Sequence, residues 1–143
     1  MNSLLLVLEN FLKLFGIFWI AGGMFALKSA KESQFMDTCL EQLQQKKVDR
    51  LVSNFMLIGG ILTLLSGIGL LMNQDGVIFI LLMLIISQLI YFDTKKKRFA
   101  KAKTDEEKEE YTIQSTTYNA FLTSIYITII VVIKIILSKV INL

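Results

Sequence analysis

The chain has 143 residues, 54% of them hydrophobic and 19% charged, with a formal net charge of +3 and a mean hydropathy of +0.59. A soluble core of this size cannot hide apolar runs this long, so the composition points to an integral membrane protein. The chain has no His and a single cysteine, Cys39, which removes imidazole ligation, histidine acid–base chemistry, an internal disulfide and any cysteine cluster.

The first apolar stretch covers residues 4–27 with only Glu9 and Lys13 as charges, and it is long enough to cross a hydrocarbon core of roughly 30 Å. A cleaved signal peptide would carry early positive charge and a shorter apolar run, so a retained helix is expected. The second span covers residues 51–72 without a charge, and the third covers residues 76–92 between Asp75 and Asp93. Only the turn-forming sequence Asn73-Gln74-Asp75-Gly76 separates them, which predicts an antiparallel hairpin. The fourth span, residues 118–137, is rich in Ile and Val. A lone strand cannot satisfy its backbone in lipid, so this too reads as a helix. The expected fold class is all-α: residues 1–143 form one four-span domain, an integral membrane four-helix bundle with short cytoplasmic helical extensions.

Residues 28–50 contain Lys28, Lys31, Lys46, Lys47 and Arg50. Residues 93–116 contain Lys95, Lys96, Lys97, Arg98, Lys101, Lys103 and Lys108. Four spans put both segments on one side, opposite the turn holding Asp75. The positive-inside rule makes that side cytoplasmic, with both termini outside a bacterial inner membrane. The basic residues are then topology signals and contacts to anionic lipid, and no nucleic-acid partner is expected. Phe35, Met36, Cys39, Leu40 and Leu43 recur at helical spacing, which predicts a short interfacial helix or an extension running into the second span. The acidic block Asp105-Glu106-Glu107-Lys108-Glu109-Glu110 would extend into solvent or begin a helix.

Small residues mark helix interfaces in lipid, where close backbone approach replaces the hydrophobic drive of water. Gly22 and Ala26 stand four apart, as do Gly59, Thr63 and Gly67, while Gly60 and Gly67 stand seven apart. Together with Gly16 and Gly23 these are the expected packing residues. Glu9 and Lys13 share a helix face, and with Lys134 they lie toward the outer side, forming a candidate polar pocket. Snorkelling to the headgroups is the structural alternative for the same three residues. Gln88 and Ser66 are the notable intramembrane polar groups, expected to hold helices together. Trp19, inside the first span, reads as a packing residue, and Cys39 as a small hydrophobe. Nucleotide-binding, zinc-protease and hydrolase-elbow motifs are absent, so no catalytic residue, metal or cofactor is expected.

The run Phe15-Gly16-Ile17-Phe18-Trp19-Ile20-Ala21-Gly22-Gly23-Met24-Phe25 resembles the first helix of a bacterial membrane superfamily. That superfamily includes the copper-resistance D domain and the HemJ type of protoporphyrinogen oxidase. Arg50 with Gly59-Gly60 and Leu64-Leu65-Ser66-Gly67 is similar to its second helix. The resemblance implies a shared scaffold and an outer-facing polar pocket. Its haem and copper members use intramembrane histidines, and Lys13 stands near the place of one of them, so the cofactor chemistry is not implied here. The function expected from these readings is a non-enzymatic membrane protein that binds a lipid-like or protein partner, including a second copy of itself. The alternatives are a small-solute or ion permease component and a degenerate redox membrane enzyme.

Overall fold

A computed structural model describes residues 2–45, 50–113 and 115–142. Among them the helices in chain order are α1 (Asn2–Gln44), α2 (Leu51–Leu71), α3 (Val77–Lys101), α4 (Asp105–Glu110) and α5 (Ser115–Ile141). Four of these, α1, α2, α3 and α5, are long and apolar enough to cross a membrane. The architecture is therefore an all-α, membrane-spanning four-helix bundle. Among the described residues α1 packs on α2, α2 on α3, α3 on α5 and α5 back on α1, while the diagonal pairs do not approach closely. The chain thus runs up and down around a ring. One end carries the α2–α3 turn and is called the turn end. The other carries Arg50, the last turns of α3, and α4, and is called the basic end. Lys46 and Lys47, two of the charges used to orient the chain, lie outside the described residues.

Two helices outrun the apolar spans that announce them. Between Met24 and Gln44 there is neither Gly nor Pro, so nothing stops α1 where hydropathy falls. It continues to a length of about 65 Å at 1.5 Å per residue. The amphipathic stretch holding Phe35, Met36 and Leu43 is thus the C-terminal part of α1, neither a separate helix nor a piece of the second span. Gln45, with φ 54°, takes the left-handed conformation that commonly ends a helix. Likewise α3 runs on through the basic block to Lys101, with Arg98 and Lys101 in its last turn, where cations complement the exposed carbonyls.

The α2–α3 turn closes in a Schellman motif. Asn73 has φ 55°, a conformation that Asn tolerates better than most residues. Its N–H donates to Leu70 O at 3.1 Å, and the Gln74 N–H donates to Gly69 O at 3.0 Å, which satisfies two of the last carbonyls of α2.

The α1–α2 seam is the tightest in the bundle. Gly16, Gly23 and Ala30 are buried on α1, and Ser53, Gly60 and Gly67 are buried on α2, each set at seven-residue intervals. A Cβ on Gly67 would stand 2.8 Å from Ile20 N, and one on Gly23 would stand 2.7 Å from Leu64 N. These helices therefore meet backbone to backbone, the contact that small residues permit in lipid. Gly22 and Gly59 face open space, and Ala26 and Thr63 are half-buried. The apolar core lies where the other helices join: Leu12, Leu70, Val77, Leu81, Ile127 and Val131 cluster, with Phe15 and Ile130 packed against them.

Candidate functional site

Polar residues gather at both ends of the bundle, and the space beside them differs by more than an order of magnitude. At the turn end, Lys134 of α5 is buried, its side chain 6% exposed. Its ammonium donates to Asn73 Oδ1 at 2.5 Å and to Asp75 Oδ1 at 3.1 Å. The helix-ending turn thus supplies both partners for the one lysine that reaches it, as a buried cation requires. The cavity there, bordered by Leu12, Leu70 and Val131, measures about 10 Å³, on the order of one water molecule. Glu9 is half-buried and Lys13 exposed on α1. Among the described residues neither makes an ion pair, so Lys134 is joined to the turn and not to Glu9 or Lys13.

In the middle of the bundle, buried hydroxyls bond back to their own helices. Ser66 donates to Thr63 O at 2.9 Å, and Thr128 donates to Ser124 O at 2.7 Å. Gln88 is 5% exposed, and its Oε1, like the Trp19 Nε1, has no hydrogen-bond partner among the described residues. Trp19 stacks at a tilt on Phe15, ring centroids 5.1 Å apart, the packing role its position in the span suggests.

At the basic end a chain of hydrogen bonds latches the extension of α1 to the start of α2. Ser53, buried at the first turn of α2, donates to Asp37 Oδ2 at 2.5 Å. Ser53 has one hydroxyl proton, already given to the carboxylate, so Ser33 is the donor in the 2.6 Å contact between the two hydroxyls. Arg50 grips Glu41 with two bonds, Nε to Oε1 at 3.2 Å and Nη2 to Oε2 at 2.9 Å. Its Nη2 also donates to Thr38 Oγ1 at 3.3 Å. The Glu41 hydrogen bond holds the Arg50 guanidinium above its usual pKa against the opposing cost of desolvation, and the charges of Glu41 and Asp37 add to the effect.

Beside this latch the bundle opens. Phe55 of α2 and Tyr91 of α3 stack with centroids 3.7 Å apart at 11°. This pair lines two cavities and is the wall between them. On one side lies a groove of about 380 Å³ between α2 and α3, with Arg50 and Arg98 at its polar end and Ile58 and Ile90 on its apolar walls. On the other lies a cavity of about 450 Å³ that contains Lys95 and Glu109. Arg98 lies over the Tyr111 ring, 5.9 Å from its centroid. A guanidinium offers five N–H donors in a planar fork, and among the described residues the three Arg50 bonds use Nε and Nη2 and none uses Nη1.

In the sequence Arg98 stands out only as a loop charge, Arg50 as a loop charge and as the arginine before the second span in the superfamily resemblance, and Phe55 does not stand out at all. The retrievable signal is spacing: Tyr91, Lys95 and Arg98 fall at i, i+4 and i+7, one face of a helix that continues past the membrane. Among the described residues no group of three or more His, Cys, Asp and Glu is placed to hold a metal ion. Compared with models of known protein families, with curated proteins and with solved structures, the chain has no match.

Proposed function

We propose that this chain is a non-enzymatic membrane protein that holds an anionic, lipid-like amphiphile in the groove between α2 and α3, with the basic end on the cytoplasmic side and both termini outside. The observation that carries the reading is the groove itself: two arginines, Arg50 and Arg98, at one end of a cavity of about 380 Å³ whose walls are Phe55, Ile58 and Ile90. Guanidinium forks match phosphate oxygens in shape and charge. The apolar walls suit an acyl chain, and basic pockets between spanning helices are where anionic headgroups bind. A permease reading finds less support, because Leu81, Leu84 and Val131 fill the interior beyond the groove. The superfamily resemblance of α1 and α2 bears on the scaffold, and the ligand reading does not depend on it.

Native mass spectrometry of the protein extracted with its lipids tests the proposal. Anionic phospholipid should be retained over zwitterionic phospholipid, and Arg98→Gln should cut that retention about tenfold, the scale of one charge-assisted contact. Equal retention of both lipid classes, or an unchanged lipid complement in Arg98→Gln, would overturn it.

A further inference from the structure

Among the described residues α1 packs on α2 and α5 and leaves its opposite side uncovered. Leu14, Phe18, Ala21, Phe25, Lys28 and Glu32 are all exposed there, Phe18 by 78% and Phe25 by 72%. They recur at alternating steps of four and three, which places them in one stripe, across the helix from Gly16, Gly23 and Ala30 of the α1–α2 seam. Two of them are charged, and the seam fixes where along the bundle they stand. Leu27 lies 3.1 Å from where a Cβ on Gly60 would be, and Gly60 is about 14 Å along α2 from Leu51. Lys28 therefore stands beside the uncharged span of α2, residues 51–72, and not beyond its end. The Cα–Cβ bond of a helical residue tilts toward the N-terminus, so the Lys28 side chain sets out deeper, away from the basic end. A charge in such a position calls for a partner. Glu32 is one turn further on, but lysine four residues ahead of glutamate is the weaker order for pairing within a helix. Among the described residues neither makes an ion pair.

We propose that this stripe is the interface between two copies of the chain, α1 against α1, closed by the ring of charges that Lys28 and Glu32 form with the partner's Lys28 and the partner's Glu32. All copies insert with one orientation, so two α1 helices meet in parallel about a two-fold axis along the membrane normal. Steps of four and three are the seam spacing of two parallel helices, and the two-fold brings each lysine within a turn of the other copy's glutamate. A stripe bearing one charge of each sign is complementary to itself, which selects a second copy over a partner of either net charge. The α2–α3 groove has no lining residue on α1, so the two sites are independent.

Full chains fused to donor or acceptor fluorophores and mixed in liposomes test the charge ring by energy transfer. The unaltered chain should associate above random proximity. Lys28→Glu and Glu32→Lys each fill the ring with like charges, and each alone should dissociate about tenfold more readily, the scale of one charged contact. A Lys28→Glu donor mixed with a Glu32→Lys acceptor has both signs in the ring again, and its association should return. Within either of these chains the two charges are alike, so recovery in the mixture cannot come from pairing inside a helix. Cysteine crosslinking in native membranes, in a Cys39→Ala background, tests the stripe without touching the packing of the bundle. Phe18→Cys, Ala21→Cys and Phe25→Cys should form disulfide-linked dimers, while Ile17→Cys and Met24→Cys, at exposed residues to the side of the stripe, should not. The proposal fails if the unaltered chain shows no self-association, if the mixture associates no better than either variant alone, or if all these cysteines crosslink alike.

Discussion

A methyl group on Gly67 would fall 3.0 Å from Gly16 O as well as 2.8 Å from Ile20 N, so α1 and α2 must separate to admit it. Gly67→Ala is expected to lower stability by about 1–3 kcal/mol, the usual cost of overpacking a filled interface. Gly22→Ala and Gly59→Ala, in open space, should be neutral or stabilising by about 0.5–1 kcal/mol through helix propensity. Thermal unfolding of the three variants in detergent compares them directly. Lys134 yields a second ordering. Asn73→Gly with Asp75→Ala keeps the left-handed turn but strips a buried ammonium of its partners, which should cost about 3 kcal/mol. Lys134→Met removes the charge with the need for partners and should cost less; the same unfolding assay with the order reversed would refute this account. Both Gly16 and Gly22 are conspicuous in the sequence as small residues in an apolar run. Which of them meets a neighbour depends on the rotation of α1, and spacings of four and seven are both compatible with one helix face. Lys134 could be recognised as a costly charge, but its partners lie about sixty residues away in a turn that reads merely as a turn.

Among the elements, the apolar runs announce four helices because hydropathy and length are local quantities. Helix ends follow another rule, the presence of a residue that breaks the helix, and between Met24 and Gln44 none exists. The basic-end extension of α1 is therefore legible as helical but not as part of α1. What secures it is the chain of Ser33, Asp37 and Ser53 with the Arg50–Glu41 pair. Ser53→Ala should loosen the latch by about 1 kcal/mol and speed tryptic cleavage after Lys28 and Lys31 while leaving the spanning parts protected, readable by limited proteolysis. The raised pKa of Arg50 adds stability that is complete below the guanidinium's unfolded value and is lost only as pH rises through the still higher folded value. The pair therefore contributes evenly across neutral pH. The Phe55–Tyr91 stack was beyond reach of the sequence, because it joins residues on two helices whose mutual rotation no local pattern encodes.

For the whole molecule the orientation in the membrane is open to a direct chemical test, because the chain has one cysteine. If the basic end is cytoplasmic, a membrane-impermeant maleimide applied to intact cells should leave Cys39 unlabelled until the membrane is permeabilised. Asp75→Cys in a Cys39→Ala background should be labelled at once. Reversal of the two patterns would invert the topology and move both cavities to the outer face. The charge asymmetry supports the first pattern: Asp75 is the sole charge in the α2–α3 turn, while Arg50 and most of the remaining lysines crowd the other end.

The seven-residue rhythm of the α1–α2 seam has a consequence for how the two helices find their alignment. Slide α1 by one repeat, about 10 Å along its axis, and Gly23 would stand beside Gly67 and Ala30 beside Gly60. Small would still face small, so the seam alone is a ruler whose graduations look alike. Asp37 and Glu41 are different: only one alignment brings them to Ser53 and Arg50. The polar latch at the end of the seam thus acts as the index mark on that ruler, and its removal should leave α1 and α2 associated but free to settle one notch away.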